Sequence, residues 1–348
     1  MPHAPYVPLR NLSAYSLLEG AIAPKHLASQ AKDLGFPAAA LTDRNGLYAA
    51  MSFSDAAAKA GVQPIIGTTI AVARPDRPDN APIALDWLVL LAQDDTGYNN
   101  LCTLVSLAHV DRPVQDDAHV TFEALEAHAE GLICLTASGE GALARLIAED
   151  QPDAVRAYLD RLQALYDDRL YIELSRTGDP VMAQAEAALI DLAYARGLPL
   201  VATNPACYAE QDFHPAHDVL LCIANSSYVE SAERPKSSPE SWMKPAQTMA
   251  ALFEDLPEAI ANTLVVAQRC AVMAPKRKPI LPSLAGDIEG EKAQLRLDAT
   301  AGLEARLEKL GITEPEQRKA YFERLDFEIN VINQMGFPGY FLIVADFI

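Results

Sequence analysis

No stretch of this sequence stays apolar for the roughly 20 residues that a membrane-spanning helix needs. The start, Met1-Pro2-His3-Ala4-Pro5, lacks the basic region and following apolar run of a signal peptide. Cysteine is sparse and scattered, at Cys102, Cys134, Cys207, Cys222 and Cys270, with no CxxC pair. That argues against a disulfide framework and a zinc ribbon, and fits a reducing cytoplasm. Positive charge is also short: 28 Lys and Arg against 47 Asp and Glu leave a net charge of −19. A segment that grips duplex DNA by its phosphates needs clustered Lys and Arg, so this one is not expected to be the main nucleic-acid grip. The one dense basic run, Lys276-Arg277-Lys278, reads as a solvated linker. No Gly-x-Ser-x-Gly elbow, Walker loop or GxGxxG is present.

What is present is an alternation of two patterns over the first 224 residues. Short β-rich apolar runs stand at Tyr6–Leu9, Ala38–Thr42, Thr68–Ala73, Trp87–Ala92, Leu132–Thr136, Leu170–Leu174 and Leu198–Thr203. Between most of them the spacing predicts helices, at Pro24–Leu34, Leu47–Ala60, Asn99–Ala108, Asp153–Tyr166 and Val181–Arg196. Gly35 and Gly61 mark two helix ends. Strands alternating with helices imply an α/β fold with a parallel sheet, and seven such units suit a closed or nearly closed TIM-like barrel. Chemistry in such barrels sits at the C-terminal strand ends, here Arg10–Ser13, Asp43–Asn45, Thr68–Thr69, Arg176–Gly178 and Asn204–Cys207.

The pattern changes after Ile223. Asn225–Pro245 reads as a loop, and Ala246–Ala274 as a helical stretch with Met249, Leu252, Phe253, Leu256, Ile260, Leu264 and Ala267 on one staircase. Pro275–Gly290 carries three prolines and two glycines, a domain linker. Lys292–Leu310 and Glu314–Gln334 are helical, the second ending at Gly336 before Pro338. The apolar run Tyr340–Ile348 stops without a polar tail, as expected of a cut through a longer chain.

Certain motifs are more specific than this alternation. Pro8-Leu9-Arg10-Asn11-Leu12-Ser13-Ala14-Tyr15-Ser16-Leu17-Leu18-Glu19-Gly20 is followed by Ala40-Leu41-Thr42-Asp43-Arg44 and Pro64-Ile65-Ile66-Gly67. Ala216-His217-Asp218-Val219-Leu220-Leu221-Cys222-Ile223 and Leu256-Pro257-Glu258-Ala259-Ile260 follow in order, then Gln334-Met335-Gly336-Phe337-Pro338-Gly339-Tyr340-Phe341-Leu342-Ile343-Val344. With these the whole chain resembles the C-family replicative polymerases, the alpha subunits of bacterial DNA polymerase III. The resemblance implies a PHP domain, a distorted seven-unit βα barrel, over residues 1–275, with the barrel at 1–224 and a helical extension at 246–274. A linker at 276–287 and the start of a truncated palm at 288–348 would follow. The polymerase carboxylates would lie beyond Ile348, so no residue of this segment would catalyse nucleotidyl transfer.

A metal-competent PHP domain gathers His, Asp and Glu side chains at one barrel mouth, where metal ions activate water and clamp a phosphate ester. Position by position, the resemblance implies that this set is dismantled. The Leu-His-x-His-Ser strand end reads Leu9-Arg10-Asn11-Leu12-Ser13, and Thr-Asp-His-Gly reads Thr42-Asp43-Arg44-Asn45. A glutamate is replaced by Thr69 and a histidine by Trp87. Asp-His-Gly reads Arg176-Thr177-Gly178, and Asn-Asp-x-His-Tyr reads Asn204-Pro205-Ala206-Cys207-Tyr208. Only Glu19 and Asp43 remain acidic. Arginine cannot ligate a metal, so Arg10, Arg44 and Arg176 are expected to share the cleft and pair with Glu19 and Asp43. Metal is expected to be absent, with no cofactor here and Mg only for a full-length polymerase. His214 and His217 read as capping or packing, Cys207 as a packed thiol, and Gly139-Glu140-Gly141 as a helix-entry turn.

The resemblance implies a structural, protein-binding module. Its partners would be the proofreading exonuclease (epsilon) subunit and other holoenzyme subunits, with DNA reached only through the full-length protein and no membrane. The competing readings are a metal-dependent phosphoesterase or exonuclease, and a sensor that takes an anion in the arginine-lined cleft.

Overall fold

The computed structural model describes residues 3–74, 84–113, 115–277 and 282–348. Lys278 and part of the expected linker lie outside the described residues. The described chain divides into two units, Met1–Pro275 and Lys276–Ile348.

In the first unit the order is α1 (Pro24–Asp33), β1 (Ala38–Leu41), α2 (Ala50–Ala60), β2 (Gln63–Ala73), β3 (Leu85–Ala92), α3 (Asp95–Val110), α4 (Phe122–Ala127) and β4 (Leu132–Leu135). Then come α5 (Ala142–Ala148), α6 (Pro152–Tyr166), β5 (Leu170–Ser175), α7 (Pro180–Arg196), β6 (Leu200–Thr203), α8 (His214–Ala224), α9 (Ala246–Leu252) and α10 (Pro257–Arg269). Local chemistry explains the helix limits. Pro24, Pro152, Pro180 and Pro257 stand at helix starts, where a missing N–H costs nothing. Asp94, Thr121 and Asp179 accept from backbone N–H groups of the first turn. Gly61 ends α2 at φ 79°, a left-handed conformation that other residues adopt at a cost.

The six strands form one sheet in the order β1-β2-β3-β4-β5-β6. Three expectations are corrected here. The sheet is not wholly parallel: β3 runs against both β2 and β4, while the β1/β2, β4/β5 and β5/β6 pairs are parallel. A short connection from β2 to β3 can only make an antiparallel pair. And Tyr6–Leu9 is not a strand, although it sits where one would. Ala40 donates its N–H to the Pro8 carbonyl on one side, and beyond Leu9 the Arg10 carbonyl accepts from Ala206 on the other, both near 3 Å (2.9 and 3.1). Thr68–Thr69 is not a strand end either, since β2 runs on to Ala73.

Alternation along the strands sorts their side chains between two cores. Ala39, Leu41, Leu88, Leu90, Ile172 and Leu174 pack with residues of the covering helices, such as Leu27, Phe53, Leu104, Leu162 and Leu189. Their sequence neighbours Ala38, Ala40, Val89, Leu91 and Tyr171 form a second cluster with Val201 of β6, Val7 and Leu9. Among the described residues, one helix enters this inner cluster: α10, through Val266 and Ala267, with Cys270 just after it. Gln63, at the start of β2, donates to the Ala267 carbonyl, so α10 closes the end of the curled sheet where the parallel strands begin. The helical stretch Ala246–Ala274 is not continuous. It breaks between α9 and α10 because Pro257 cannot donate to a preceding turn. Its staircase is nonetheless buried at Met249, Phe253, Leu256 and Ile260.

The second unit is three helices, α11 (Ile288–Lys309), α12 (Pro315–Met335) and α13 (Pro338–Phe347). Gly336 ends α12 at φ 77°. Leu295, Leu307, Ile329 and Leu342 are buried within it, whereas Tyr340, Phe341 and Phe347 are exposed.

Candidate functional site: the barrel mouth

The end of the sheet opposite α10 is polar. Chain segments leaving the strands bring Arg10, Arg44, Glu140 and Glu173 together there. Arg10 follows the Tyr6–Leu9 segment and is 0% exposed. Its Nη1 donates to Glu173 Oε1 at 3.2 Å and its Nη2 to Glu140 Oε2 at 2.6 Å. Arg44 follows β1. Its Nε donates to Glu19 Oε2 at 3.0 Å, and its Nη2 donates to the other oxygen of Glu140. One carboxylate thus bridges two guanidinium groups, one oxygen to each. The Arg44 guanidinium also lies 4.3 Å from the centre of the Trp87 ring, within cation–π range. Thr203 Oγ1 donates to the same Glu173 oxygen that receives Arg10, at 2.5 Å.

Burial alone would raise the pKa of Glu140, but Arg44 and then Arg10 outweigh it and hold the carboxyl at about 2. Burial works against charge on Arg10 as well, and Glu173 and Glu140 overcome it. The cluster is therefore charged at neutral pH and compensated from within.

Seven of the eleven residues expected at the site do line a cleft of about 460 Å³: Arg10, Leu12, Glu19, Arg44, Thr177, Pro205 and Cys207. Burial pushes the Cys207 thiol up to about 11, so it is a protonated packing group rather than a nucleophile. The other four do not line it. Trp87 reaches it only through Arg44. Thr69 is buried inside β2, its hydroxyl on the Thr42 carbonyl at 3.0 Å.

Asp43 pairs with no arginine, contrary to expectation. It accepts from Ser13 N at 2.7 Å and from the Ser13 and Ser16 hydroxyls at 2.8 Å each. These bonds staple the 13–20 turn to the end of β1. Burial still raises its pKa despite them. Arg176 is also not in the cleft, which corrects the expectation of three clustered arginines. It pairs with Glu186 of α7 at 2.6 Å and with Asp255 at 2.7 Å, and lies 4.6 Å from the centre of the Phe253 ring. Carboxylates on the neighbouring helix and on the α9–α10 turn draw it away from the mouth.

Glu140 and Glu173 were missed as site residues. Glu140 was read only as part of a turn, which it is: a 3₁₀ turn at Ser138–Glu140 precedes α5. Its signal was an acidic residue just past a barrel strand, where such folds place their chemistry. Glu173 lies inside an apolar strand, and a charge there needs a buried partner, which Arg10 supplies. His217 is buried in packing contacts: Nε2 donates to the Glu19 carbonyl at 2.8 Å, leaving Nδ1 to accept from the Ser237 hydroxyl at 2.7 Å. His214 Nε2 meets the Ser237 carbonyl at 3.0 Å.

These groups do not suit a metal ion. Guanidinium nitrogens carry no lone pair to give, and each oxygen of Glu140 is engaged by an arginine. Among the described residues, no three His, Cys, Asp or Glu side chains are gathered where they could hold one. No described helix is long and apolar enough to cross a membrane.

Residues 8–177 match the family model described as the PHP domain. Residues 293–348 match the model described as the bacterial DNA polymerase III alpha NTPase domain. The curled α/β sheet and its polar mouth therefore define a PHP domain. DNA polymerase III subunit alpha from Caulobacter vibrioides is 45% identical over 99% of this chain, and the chain covers 30% of that protein. The corresponding proteins of Rickettsia bellii and Vibrio cholerae are 36% and 35% identical over 99% of the chain, which covers 29% and 30% of them. The chain belongs to the family of bacterial DNA polymerase III alpha subunits, and it spans about 30% of the length of the curated relatives it matches.

Proposed function

We propose that this chain is the N-terminal part of a cytoplasmic replicative DNA polymerase, and that its PHP domain has become a structural and protein-docking module. In this reading residues 1–275 are the PHP domain and Tyr6–Leu9 is a seventh stave closing the barrel between β1 and β6. Residues 276–287 are a linker, and 288–348 begin the palm. Template-directed nucleotidyl transfer, with Mg, belongs to carboxylates beyond Ile348. The partners are the proofreading exonuclease (epsilon) subunit and the other holoenzyme subunits, and DNA is met through the longer protein.

The observation that carries the loss of hydrolase chemistry is the Arg10–Glu140–Arg44 bridge. It places two fixed positive charges where an ancestral metal cluster would need lone pairs. The residues instead lock the loops that leave β1, β4 and the Tyr6–Leu9 segment to one another. These ion pairs hold the loops together, as a docking platform requires. Metal analysis of the purified chain, coupled to a phosphoester hydrolysis assay, tests this. No bound metal and no hydrolysis are expected, and stoichiometric Zn or Mn with turnover would overturn the reading in favour of a PHP phosphoesterase or exonuclease. Failure of the folded chain to capture the exonuclease subunit would overturn the docking role separately.

A further inference from the structure

Glu140 occupies the position that a bound anion would take. Each of its carboxylate oxygens meets a different arginine, which is how two guanidinium groups hold one phosphate between them. The donors are not used up. Arg44 Nη1 and Arg10 Nε are both buried with no hydrogen-bond acceptor. Buried donors are rarely left without one. The adjoining cleft of about 460 Å³ is large enough for a phosphate-bearing group and is lined also by Lys236 and Ser241. Glu140 is the member of the bridge that reaches solvent: its side chain is 36% exposed, against 1% for Arg10. It is presented by two consecutive non-glycine residues in the left-handed region, Ala137 at φ 57° and Ser138 at φ 52°. Such backbone costs energy and persists where the surroundings enforce it.

We infer that the cleft is an oxyanion site for a phosphate-bearing molecule, and that Glu140 is a tethered carboxylate that competes with the ligand for Arg44. With Glu140 in place, Glu19, Glu140, Glu173 and Asp179 outnumber Arg10, Arg44 and Lys236, and a free anion gains little. With Glu140 swung to solvent or neutralised, one arginine face and the cleft donors become available. No bond is made or broken, so the site binds and does not hydrolyse. This goes beyond the docking role above and does not depend on it.

The test is calorimetric titration of the full chain with inorganic phosphate, pyrophosphate and a nucleoside monophosphate, at constant ionic strength. Glu140→Gln keeps the shape of the side chain and removes its charge. It is expected to tighten binding of at least one of the three probes by roughly tenfold over wild type, the scale of one charge-assisted hydrogen bond. Arg44→Gln in the Glu140→Gln background is expected to abolish the gain. The probe that gains most identifies the source of the phosphate. A folded Glu140→Gln chain that binds no probe better than wild type overturns the inference. So does a gain that survives Arg44→Gln. Should Glu140→Gln fail to fold, thermal unfolding of the wild type decides. Stabilisation by pyrophosphate over chloride at equal ionic strength, lost in Arg44→Gln, supports the site, and its absence overturns it.

Discussion

The two ends of the barrel are built on opposite principles. The floor is apolar: Val266 and Ala267 of α10, with Cys270 just after it, fill the inner cluster. The mouth is ionic: Arg10 and Glu173 are 1% and 0% exposed as side chains and face each other at 3.2 Å. A floor of this kind tolerates error better, because a lost methyl group removes its own burial and leaves a small cavity but strands no partner. A mouth of this kind does not, because every charge depends on its partner. Taking both charges out of water costs several kcal/mol per ion, and their attraction returns it only while both are present.

The largest effect that would break this contrast is therefore at Arg10. Arg10→Ala leaves the buried Glu173 carboxyl without its cationic partner, and should cost about 3–5 kcal/mol. Val266→Ala on the floor should cost about 2 kcal/mol, the transfer free energy of the methyl groups removed. Urea unfolding of both variants, read by far-UV circular dichroism, measures the two costs. If Arg10→Ala costs no more than Val266→Ala, the mouth is solvated rather than buried.

A second, smaller effect uses pH. Glu140 has a folded pKa of about 2 against an ordinary 4.5. Its folded value is the lower one, so the stability it contributes is present above about pH 4.5 and is lost as pH falls toward about 2. Wild-type stability should drop through that window, and Glu140→Gln should flatten the drop. The floor has no such window, so Val266→Ala should lower stability equally on both sides of it. A Glu140→Gln chain with the wild-type acid profile would remove Glu140 from the bridge.

The floor and the mouth also differ in how far they can be read from sequence. A short apolar run such as Ala38–Leu41 or Leu88–Leu91 predicts a buried strand because each side chain contributes independently of its neighbours. That is why the βα order, the helix limits and the place of the mouth were legible. The reversal of β3 was not, because an apolar strand reads the same in either direction. Pairing was the other blind spot. The motif positions gave the arginines but not their acceptors. Asp43 was taken by Ser13 and Ser16, and Glu140 came from a loop nearly one hundred residues after Arg44 (a separation of 96). An ion pair depends on where loops converge in space, and one-dimensional spacing does not carry that.

Arg176 is where those two kinds of legibility give opposite answers, and the smallest predicted effect decides between them. By motif position it belongs with Arg10 and Arg44. By geometry it belongs to a partly exposed surface pair, with side chains 22% and 23% exposed for Arg176 and Glu186. Exposed pairs contribute little, because water screens the charges and two long side chains must be held still. Arg176→Gln should thus cost about 1 kcal/mol or less. The sharper measurement is coupling. Groups that share no partner add independently, whereas members of one network couple by about 0.5–3 kcal/mol. A double-mutant cycle of Arg44→Gln with Glu140→Gln should show coupling in that range. The cycle of Arg176→Gln with Glu140→Gln should show none beyond error. Coupling of Arg176 to Glu140 as strong as that of Arg44 would restore the three-arginine cleft that the motif positions imply.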